Sequence, residues 1–309
     1  MAMAGLGILL YLIVAVATDS KKLGGALARL GWTGCCIVLS LSLINYALRF
    51  VRWHAFIGML GHRVPINRHL LLYLSGFAFT VSPAKAGEAV RSMYLRQYGV
   101  SYPESIAALF VERLQDLLAM VLLSGLMLTG QRAYWPLVVG TFGITTAIIL
   151  VARSAGFART IGAYGNRGTG RLRKGLKMLA ALLLSSQRLL RARASLPGII
   201  LGVVSWGAEG VGFYMICEGL QLHVGVAASA GIYAIAALAG GAAFFLPAGI
   251  GGMEVVMTAL LAQRGAPVPA AIIATLLCRL ATLWFAVAVG LGCGALLETH
   301  IHTRNRRLA

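Results

Sequence analysis

The chain has 309 residues, of which 59% are hydrophobic and only 12% are charged, with a mean hydropathy of +0.83 and a formal net charge of +18. This composition excludes an ordinary soluble domain, which carries about 25% charged residues. Several apolar runs reach the roughly 20 residues that a helix needs to cross the hydrocarbon core. We therefore expect an all-α polytopic membrane protein that forms a single membrane domain over residues 1–309.

Six apolar runs are predicted to be full crossings, at residues 2–18, 32–53, 104–129, 134–153, 196–217 and 268–297. Residues 1–17 also fit a signal peptide that ends in Ala-Val-Ala, although they lack the basic start typical of such peptides. Removal of this segment would leave the rest of the topology unchanged.

Two further apolar stretches, at residues 69–98 and 225–264, are interrupted by proline and glycine. Irregular backbone at membrane depth is tolerated only where it is buried in protein or lines a wet cavity. We therefore predict two re-entrant helical hairpins, each entering and leaving on one side, with a pair of ordinary spans as the alternative at each place. The interruptions consist of Pro83 and Gly87 in the first stretch, and of Pro247, Gly249, Gly251 and Gly252 in the second.

The basic residues orient the chain. Residues 153–193 hold ten Lys and Arg, residues 49–103 hold seven and the tail after residue 298 holds three, against five in the predicted outer loops. Because cytoplasmic loops are enriched in Lys and Arg, both termini are predicted to be cytoplasmic. The pair Lys21-Lys22 does not follow this rule. Residues 154–194 are predicted to be a basic, partly amphipathic cytoplasmic segment that lies on anionic lipid.

Both interrupted stretches follow one pattern. The sequence VSPAKAGEAV at residues 81–90 and the sequence FLPAGIGGMEVV at residues 245–256 each place Pro-Ala before glycine and then glutamate. An arginine follows each glutamate at the same spacing, inside the next span. Three predicted crossings separate equivalent points, so we predict a first repeat at residues 32–153 and a second, inverted repeat at residues 196–298. Paired interrupted helices in inverted repeats are typical of transporters with a central binding site.

Charged residues inside predicted spans are costly and usually face protein or water. Glu112 and Asp116 are four positions apart in the third span and share one helix face, and Arg113 can pair locally with Asp116. This group fits either a self-neutralised structural cluster or a site in which Arg113 binds an anionic head group. Arg279 has no acid within four positions, and the repeat predicts Glu254 as its partner.

The remaining candidates flank or face the predicted cavity. By the repeat, Glu88 would pair with Arg113 as Glu254 pairs with Arg279. Lys85 and Arg91 flank the first hairpin, and Glu209 is a lone acid in the fifth span. These residues fit lipid capture or ordinary anchoring and structural roles. The chain shows no metal-ligand spacing and no ATP-binding loop, so we predict no cofactor and no metal site. Nucleic acid is not an expected partner, because the basic residues follow the topology.

The ordered motifs resemble the flippase-like family of the lysylphosphatidylglycerol synthase transmembrane region. The resemblance covers almost the whole chain and is carried by the Asn45/Arg49/Arg52 run, SPAKAGEAVR, ERLQD, LPAGIGGME and Arg279. It implies a lipid-translocating membrane domain. In the multiple peptide resistance factors such a domain moves aminoacylated phosphatidylglycerol outward and precedes a soluble aminoacyl-transferase domain. This sequence stops at Ala309 without that domain, and we expect no lysyl transfer by it.

The sequence thus predicts a flippase or transporter, not an enzyme, that moves an anionic lipid across a bacterial inner membrane. The substrate would be a phospholipid or a polyprenyl-phosphate-linked lipid, held at its phosphate by Arg113 and Arg279. Glu88, Glu254 and Asp116 would orient these arginines or relay protons. The alternatives are an intramembrane glycosyltransferase or lipid-modifying enzyme, and a scaffold of a lipid-biosynthesis complex. Expected partners are membrane lipids, with a second copy of the chain or lipid-biosynthesis enzymes as further candidates.

Overall fold

The computed structural model describes residues 20–82, 89–127, 132–167, 170–242 and 251–306, and within these residues every regular element is helical. The first half contains α1 (Ser20–Met59), α2 (Ile66–Ser75), a 3₁₀ turn (Gly76–Phe79), α3 (Arg91–Leu95), a 3₁₀ turn (Arg96–Tyr98), α4 (Tyr102–Ser124), a 3₁₀ turn (Arg132–Tyr134) and α5 (Trp135–Arg153). The second half contains α6 (Ala155–Arg167), α7 (Gly170–Leu189), α8 (Ala192–Gly219), α9 (Val226–Ala242), α10 (Gly252–Gln263), α11 (Val268–Arg279), a π-helical turn (Leu280–Trp284) and α12 (Phe285–Arg306).

Four helical stretches are long and apolar enough to cross a membrane, namely Ala28–Met59, Arg132–Arg153, Ser195–Gly219 and Val268–Thr299. They match four of the six predicted crossings and confirm the all-α polytopic membrane class. The crossing predicted at residues 2–18 lies outside the described residues. The crossing predicted at residues 104–129 corresponds to α4, whose 23 residues would extend about 34 Å, although α4 carries charged side chains. The total of six crossings stays a prediction.

The helices of the two interrupted stretches are short. Helix α2 has 10 residues, α9 has 17 and α10 has 12, so each falls short of the roughly 20 residues needed to cross the bilayer. Of the predicted break residues, Gly251 and Gly252 are described: Gly251 has a positive φ of 96° and precedes α10, which begins at Gly252. The other breaks, at Pro83, Gly87, Pro247 and Gly249, lie outside the described residues, and re-entry stays a prediction.

The chain repeats the same backbone turn in its two halves. After α1, Gly61 has a φ of 98° and the His62 amide donates to the Ile57 carbonyl at 3.2 Å. At the matching place after α8, Gln221 has a φ of 59° and the Leu222 amide donates to the Cys217 carbonyl at 3.0 Å. Each turn reverses the chain from a long helix into the first helix of an interrupted stretch.

A second turn is also repeated. Before α4, Gly99 has a φ of 80° and the Val100 amide donates to the Leu95 carbonyl at 3.3 Å. At the matching place before α11, Gly265 has a φ of 88° and the Ala266 amide donates to the Leu261 carbonyl at 3.1 Å. The two halves thus share two backbone turns, and the inverted repeat of residues 32–153 and 196–298 stays a prediction.

The two halves meet where α1 packs along α8. One apolar core lies around α8 to α11 and includes Phe213, Ile232 and Met257. The other lies around α1, α2 and α4 and includes Trp53 and Tyr73. The polar residues described below lie between these two cores.

A close backbone contact fixes the first interrupted stretch against α12. A Cβ added at Gly290 would lie 2.7 Å from the Phe77 carbonyl carbon and closer still to the Ala78 backbone nitrogen. Backbone atoms cannot turn aside as a side-chain end can, so Gly290→Ala should force α12 away from this stretch. We expect a loss of about 1–3 kcal/mol of stability, measured as a lower melting temperature of the detergent-purified protein.

Gly292→Ala is the matched control for this prediction. It lies on the same helix, and nothing lies within 4 Å of the added Cβ. Because alanine favours helix more than glycine does, this variant should melt at or above the wild-type temperature. Equal melting of the two variants would contradict the packing described here.

Candidate functional site

Six charged side chains meet between α1, α3 and α4, and we call them the charged cluster. Its members are Arg49, Arg52, Arg91, Glu112, Arg113 and Asp116. All but Arg113 are buried, and the Arg113 side chain is 26% exposed. The spacing of Glu112 and Asp116 turns both carboxylates to the same side of α4, where α1 lies.

Glu112 is the fully buried centre of the charged cluster. One carboxylate oxygen accepts hydrogen bonds from Arg49 Nη2 at 3.2 Å and from the Tyr73 hydroxyl at 3.1 Å. The same oxygen lies 3.5 Å from Arg52 Nη2, and the other lies 3.9 Å from Arg91 Nη1. A buried carboxylate is tolerated when opposite charges and hydrogen-bond donors surround it, which is the arrangement here.

Asp116 joins the same two helices one turn further along α4. It accepts a hydrogen bond from Arg52 Nη2 and lies 3.8 Å from Arg49 Nη2. Arg52 also donates to the Gly198 carbonyl of α8 at 3.3 Å. The predicted local pair of Arg113 and Asp116 is present at 3.5 Å, but the arginines of α1 make the shorter contacts with these acids.

Arg91 is held by aromatic faces. Its guanidinium lies 4.6 Å from the ring centroid of Trp53 and 4.6 Å from that of Tyr73. Only 1% of Arg91 is exposed, and cation–π contacts of this kind gain strength when desolvated. The side chain predicted to flank the first hairpin therefore lies inside the protein, next to Glu112.

The predicted ion pair of the second half is also present. Arg279 Nε lies 2.7 Å from Glu254 Oε1, and Arg279 Nη1 lies 3.3 Å from the Met253 sulfur. The Glu254 carboxylate also accepts a hydrogen bond from the Gly251 amide at 2.7 Å. The Glu254 carboxylate thus contacts both the backbone at the start of α10 and Arg279 at the end of α11. Glu88 and Lys85 lie outside the described residues, so the mirrored pair of Glu88 and Arg113 stays a prediction.

A polar cavity of about 60 Å³ lies between the two halves. Its walls come from both halves and consist of Asn45, Tyr46, Arg49, Phe77, Thr80, Trp206, Glu209, Tyr233, Arg279, Thr282, Leu283 and Ala286. Of the two arginines predicted to contact substrate, Arg279 lines this cavity. Arg113 is not among the lining residues that the structure describes. The arginine that the first half contributes to the cavity wall is Arg49.

Arg49 connects the cavity with the charged cluster. Its guanidinium bonds Glu112 and lies 5.1 Å from the Trp206 ring and 5.7 Å from the Phe77 ring. Across the cavity, Glu209 is 4% exposed and accepts a hydrogen bond from the Ser42 hydroxyl at 3.0 Å. The described walls of the cavity therefore contain two arginines, Arg49 and Arg279, and one carboxylate, Glu209.

One wall of the cavity contains a widened helical turn. Leu280–Trp284 is π-helical and begins directly after Arg279, and such turns are frequent at functional sites. The Thr282 carbonyl in this turn accepts a hydrogen bond from the Tyr46 hydroxyl at 3.1 Å. Asn45 donates to the Ser205 carbonyl at 2.8 Å and leaves its Oδ1 buried without a hydrogen-bond partner.

Three buried polar residues on α1 to which no cavity role was assigned share a helix-face pattern in the sequence. Asn45, Arg49 and Arg52 recur at intervals of four and three positions, the spacing of one helix face. The structure buries all three. In the described part of the chain, no group of three or more His, Cys, Asp and Glu side chains could hold a metal.

Loss of one acid should damage the fold through the charged cluster. Asp116→Asn would leave Arg52 buried beside a weaker acceptor, and breaking a buried pair costs about 3–5 kcal/mol. We expect a sharp drop in the yield of monodisperse protein and in its melting temperature. Glu218→Gln is the control, because Glu218 is an exposed acid on α8. A wild-type melting curve for Asp116→Asn would show that the cluster contributes little stability.

Comparison with known proteins supports a membrane family. The family model of the lysylphosphatidylglycerol synthase TM region matches residues 2–290. A curated relative, "Glycosyltransferase AglD" of Haloferax volcanii, is 33% identical over 98 residues, which cover 29% of this chain and 15% of that protein. The chain thus spans well under two thirds of that relative. Because the family model covers nearly the whole chain, we conclude that the protein belongs to the family of the lysylphosphatidylglycerol synthase transmembrane region.

Proposed function

We propose that this protein moves an anionic lipid, either a phospholipid or a polyprenyl-phosphate-linked lipid, between the two leaflets of its membrane. The observation that carries the proposal is the polar cavity between the two halves, which Arg49 and Arg279 line together. Membership of a lipid-related membrane family is consistent with this role.

The two arginines suit a phosphate group. A guanidinium presents several donors in a fixed plane and can bind two phosphate oxygens at once. Glu112 orients Arg49 and Glu254 orients Arg279, so neither side chain must be ordered when the lipid arrives. The same carboxylates offset the cost of keeping arginines away from water. Asp116 also lies 3.8 Å from Arg49 Nη2, and Arg91 and Arg113 contact Glu112.

The lipid would pass with its head group in the cavity and its acyl or prenyl tails in the bilayer. The interrupted stretches that precede α4 and α11 are the elements that would move, because paired broken helices of this kind gate central sites in transporters. Glu209 lies on α8, on the wall shared by both halves, where it would contact donor groups of the head group. We further propose a bacterial inner membrane as the location of the protein, and the distribution of basic residues supports both termini in the cytoplasm.

An enzymatic role is the second candidate, favoured by the name of the relative from Haloferax volcanii. The match to that glycosyltransferase covers 15% of it, so its activity as a whole protein does not follow for this chain. Glu209 is the carboxylate among the described residues that line the cavity, so it is the candidate general base for such a reaction. Incubation of purified protein with candidate lipids separates the two roles, because a transporter leaves the lipid chemically unchanged.

A leaflet assay tests transport directly. The protein is placed in liposomes with a fluorescent anionic lipid, and bleaching by an impermeant reductant is followed over time, with protein-free liposomes as the baseline. Wild type should expose the inner-leaflet lipid, whereas Arg49→Gln and Arg279→Gln should slow this phase about tenfold or more, because each removes a charge-assisted phosphate contact.

Arg264→Gln is the control for the leaflet assay, because Arg264 is an exposed arginine in the loop between α10 and α11. It should transport at the wild-type rate. A panel with a phospholipid and a polyprenyl-phosphate lipid guards against the wrong test lipid. Failure to move any of them, with well-folded protein, would contradict the proposal.

A conservative change separates lipid binding from support of the fold. Arg279→Lys keeps a cation near Glu254 but loses the planar fork, and such a change is not conservative at a site that binds two oxygens. We expect a melting temperature close to wild type together with transport slowed several-fold in the same liposomes. Wild-type transport by Arg279→Lys would instead assign Arg279 a purely electrostatic role.

A further inference from the structure

Helices α6 and α7 form a hairpin at residues 155–189, which we call the basic hairpin. Seven of its residues are Lys or Arg and none is acidic. The wider chain contains no acid between Asp116 and Glu209. The basic residues are Arg159, Arg167, Arg171, Arg173, Lys174, Lys177 and Arg188.

The basic hairpin is a packed unit attached to the membrane helices. A Cβ at Gly165 of α6 would lie 3.2 Å from the Leu176 side chain of α7, and one at Gly162 would lie 3.7 Å from Ala180. The later half of α7 buries Leu183 and Leu189, and α7 packs on α4. The hairpin therefore has a fixed orientation relative to the membrane-crossing helices.

Each end of the basic hairpin is connected by a few residues to a candidate crossing. The crossing Arg132–Arg153 ends just before α6, which begins at Ala155. The crossing Ser195–Gly219 begins a few residues after α7 ends at Leu189. Two such connections hold the hairpin at the boundary between the bilayer and water.

The apolar face of α7 continues beyond the protein core. Leu172, Leu176, Leu179 and Leu183 recur at intervals of four, three and four positions, so they share one helix face. Leu183 is 6% exposed, Leu179 is 42% exposed and Leu172 is 69% exposed. The face is thus covered by protein at one end of α7 and uncovered at the other. On α6, Phe157 and Tyr164 are likewise exposed.

The opposite face of α7 carries the charge. Arg173, Lys174 and Lys177 are exposed; Lys174 and Lys177 lie across the helix from Leu172, and Arg173 lies at its side. A helix with uncovered leucines on one face and Lys and Arg on the other is typical of the membrane interface, where anionic lipids attract the basic residues. We propose that the basic hairpin lies in the head-group layer of an anionic leaflet, with the leucine face of α7 directed into the acyl chains.

This assignment is independent of lipid transport, because it rests on the surface of α6 and α7 and not on the cavity. Its test uses full-length protein in nanodiscs of phosphatidylcholine, with and without a quarter of phosphatidylglycerol. In a variant whose native cysteines are replaced by alanine, an environment-sensitive dye is attached at Leu172→Cys or at Lys174→Cys. Lipids with a quencher in the acyl chain then report the depth of each dye.

Quenching at position 172 should exceed quenching at position 174 by about twofold or more, because the two positions lie on opposite faces of an interfacial helix. Phosphatidylglycerol should strengthen quenching at position 172. The triple variant Arg173→Gln, Lys174→Gln and Lys177→Gln should lose this dependence on phosphatidylglycerol. A control with the same loss of charge at Arg63, Arg68 and Arg264, which are exposed outside the hairpin, should keep it.

Equal and weak quenching at both positions would overturn the proposal and favour a protein partner for this face. Hydrogen exchange of the unmodified protein gives a second reading that needs no cysteine replacement. The amides of residues 170–182 should exchange more slowly in nanodiscs with phosphatidylglycerol than in those without it. Identical exchange in both nanodiscs would likewise overturn the proposal.

Discussion

The architecture depends on the buried ion pairs between α1 and α4. Arg49 and Arg52 contact Glu112 and Asp116 at a depth where an uncompensated charge would be severely unfavourable. These contacts pair four charged groups and favour one register of the two helices. Apolar packing alone would discriminate poorly between registers in a bilayer, because lipid tails are as apolar as the helix surfaces.

The cavity follows from this arrangement. The Glu112 carboxylate holds the Arg49 guanidinium, which extends from α1 towards α8. Trp206 and Glu209 of α8 line the same cavity. The second half supplies Arg279 in the same way, through Glu254. Each half thus contributes to the cavity one arginine that is paired with a carboxylate of the same half. The helices that carry these arginines are not equivalent, because Arg49 lies on α1 and Arg279 lies on α11.

The sequence predicted the parts of this molecule that have a local signature. Apolar length predicted the helical membrane class, and the equal spacing of two glutamate–arginine pairs predicted the contact of Glu254 with Arg279. It did not predict that α1 would bind the acids of α4, because nothing local relates residues so far apart along the chain. Nor could it choose Arg49 over Arg113 for the cavity, since that choice depends on how α1 and α8 pack.

The two halves share two backbone turns but differ in the length of chain between those turns. The matched turns lie at Gly61 and Gly99 in the first half and at Gln221 and Gly265 in the second, so the second half holds a longer segment between its turns. Two segments of equal length could be related by exact internal symmetry, whereas segments of unequal length cannot. The halves therefore cannot be superposed residue by residue, and the two sides of the cavity between them are not interchangeable.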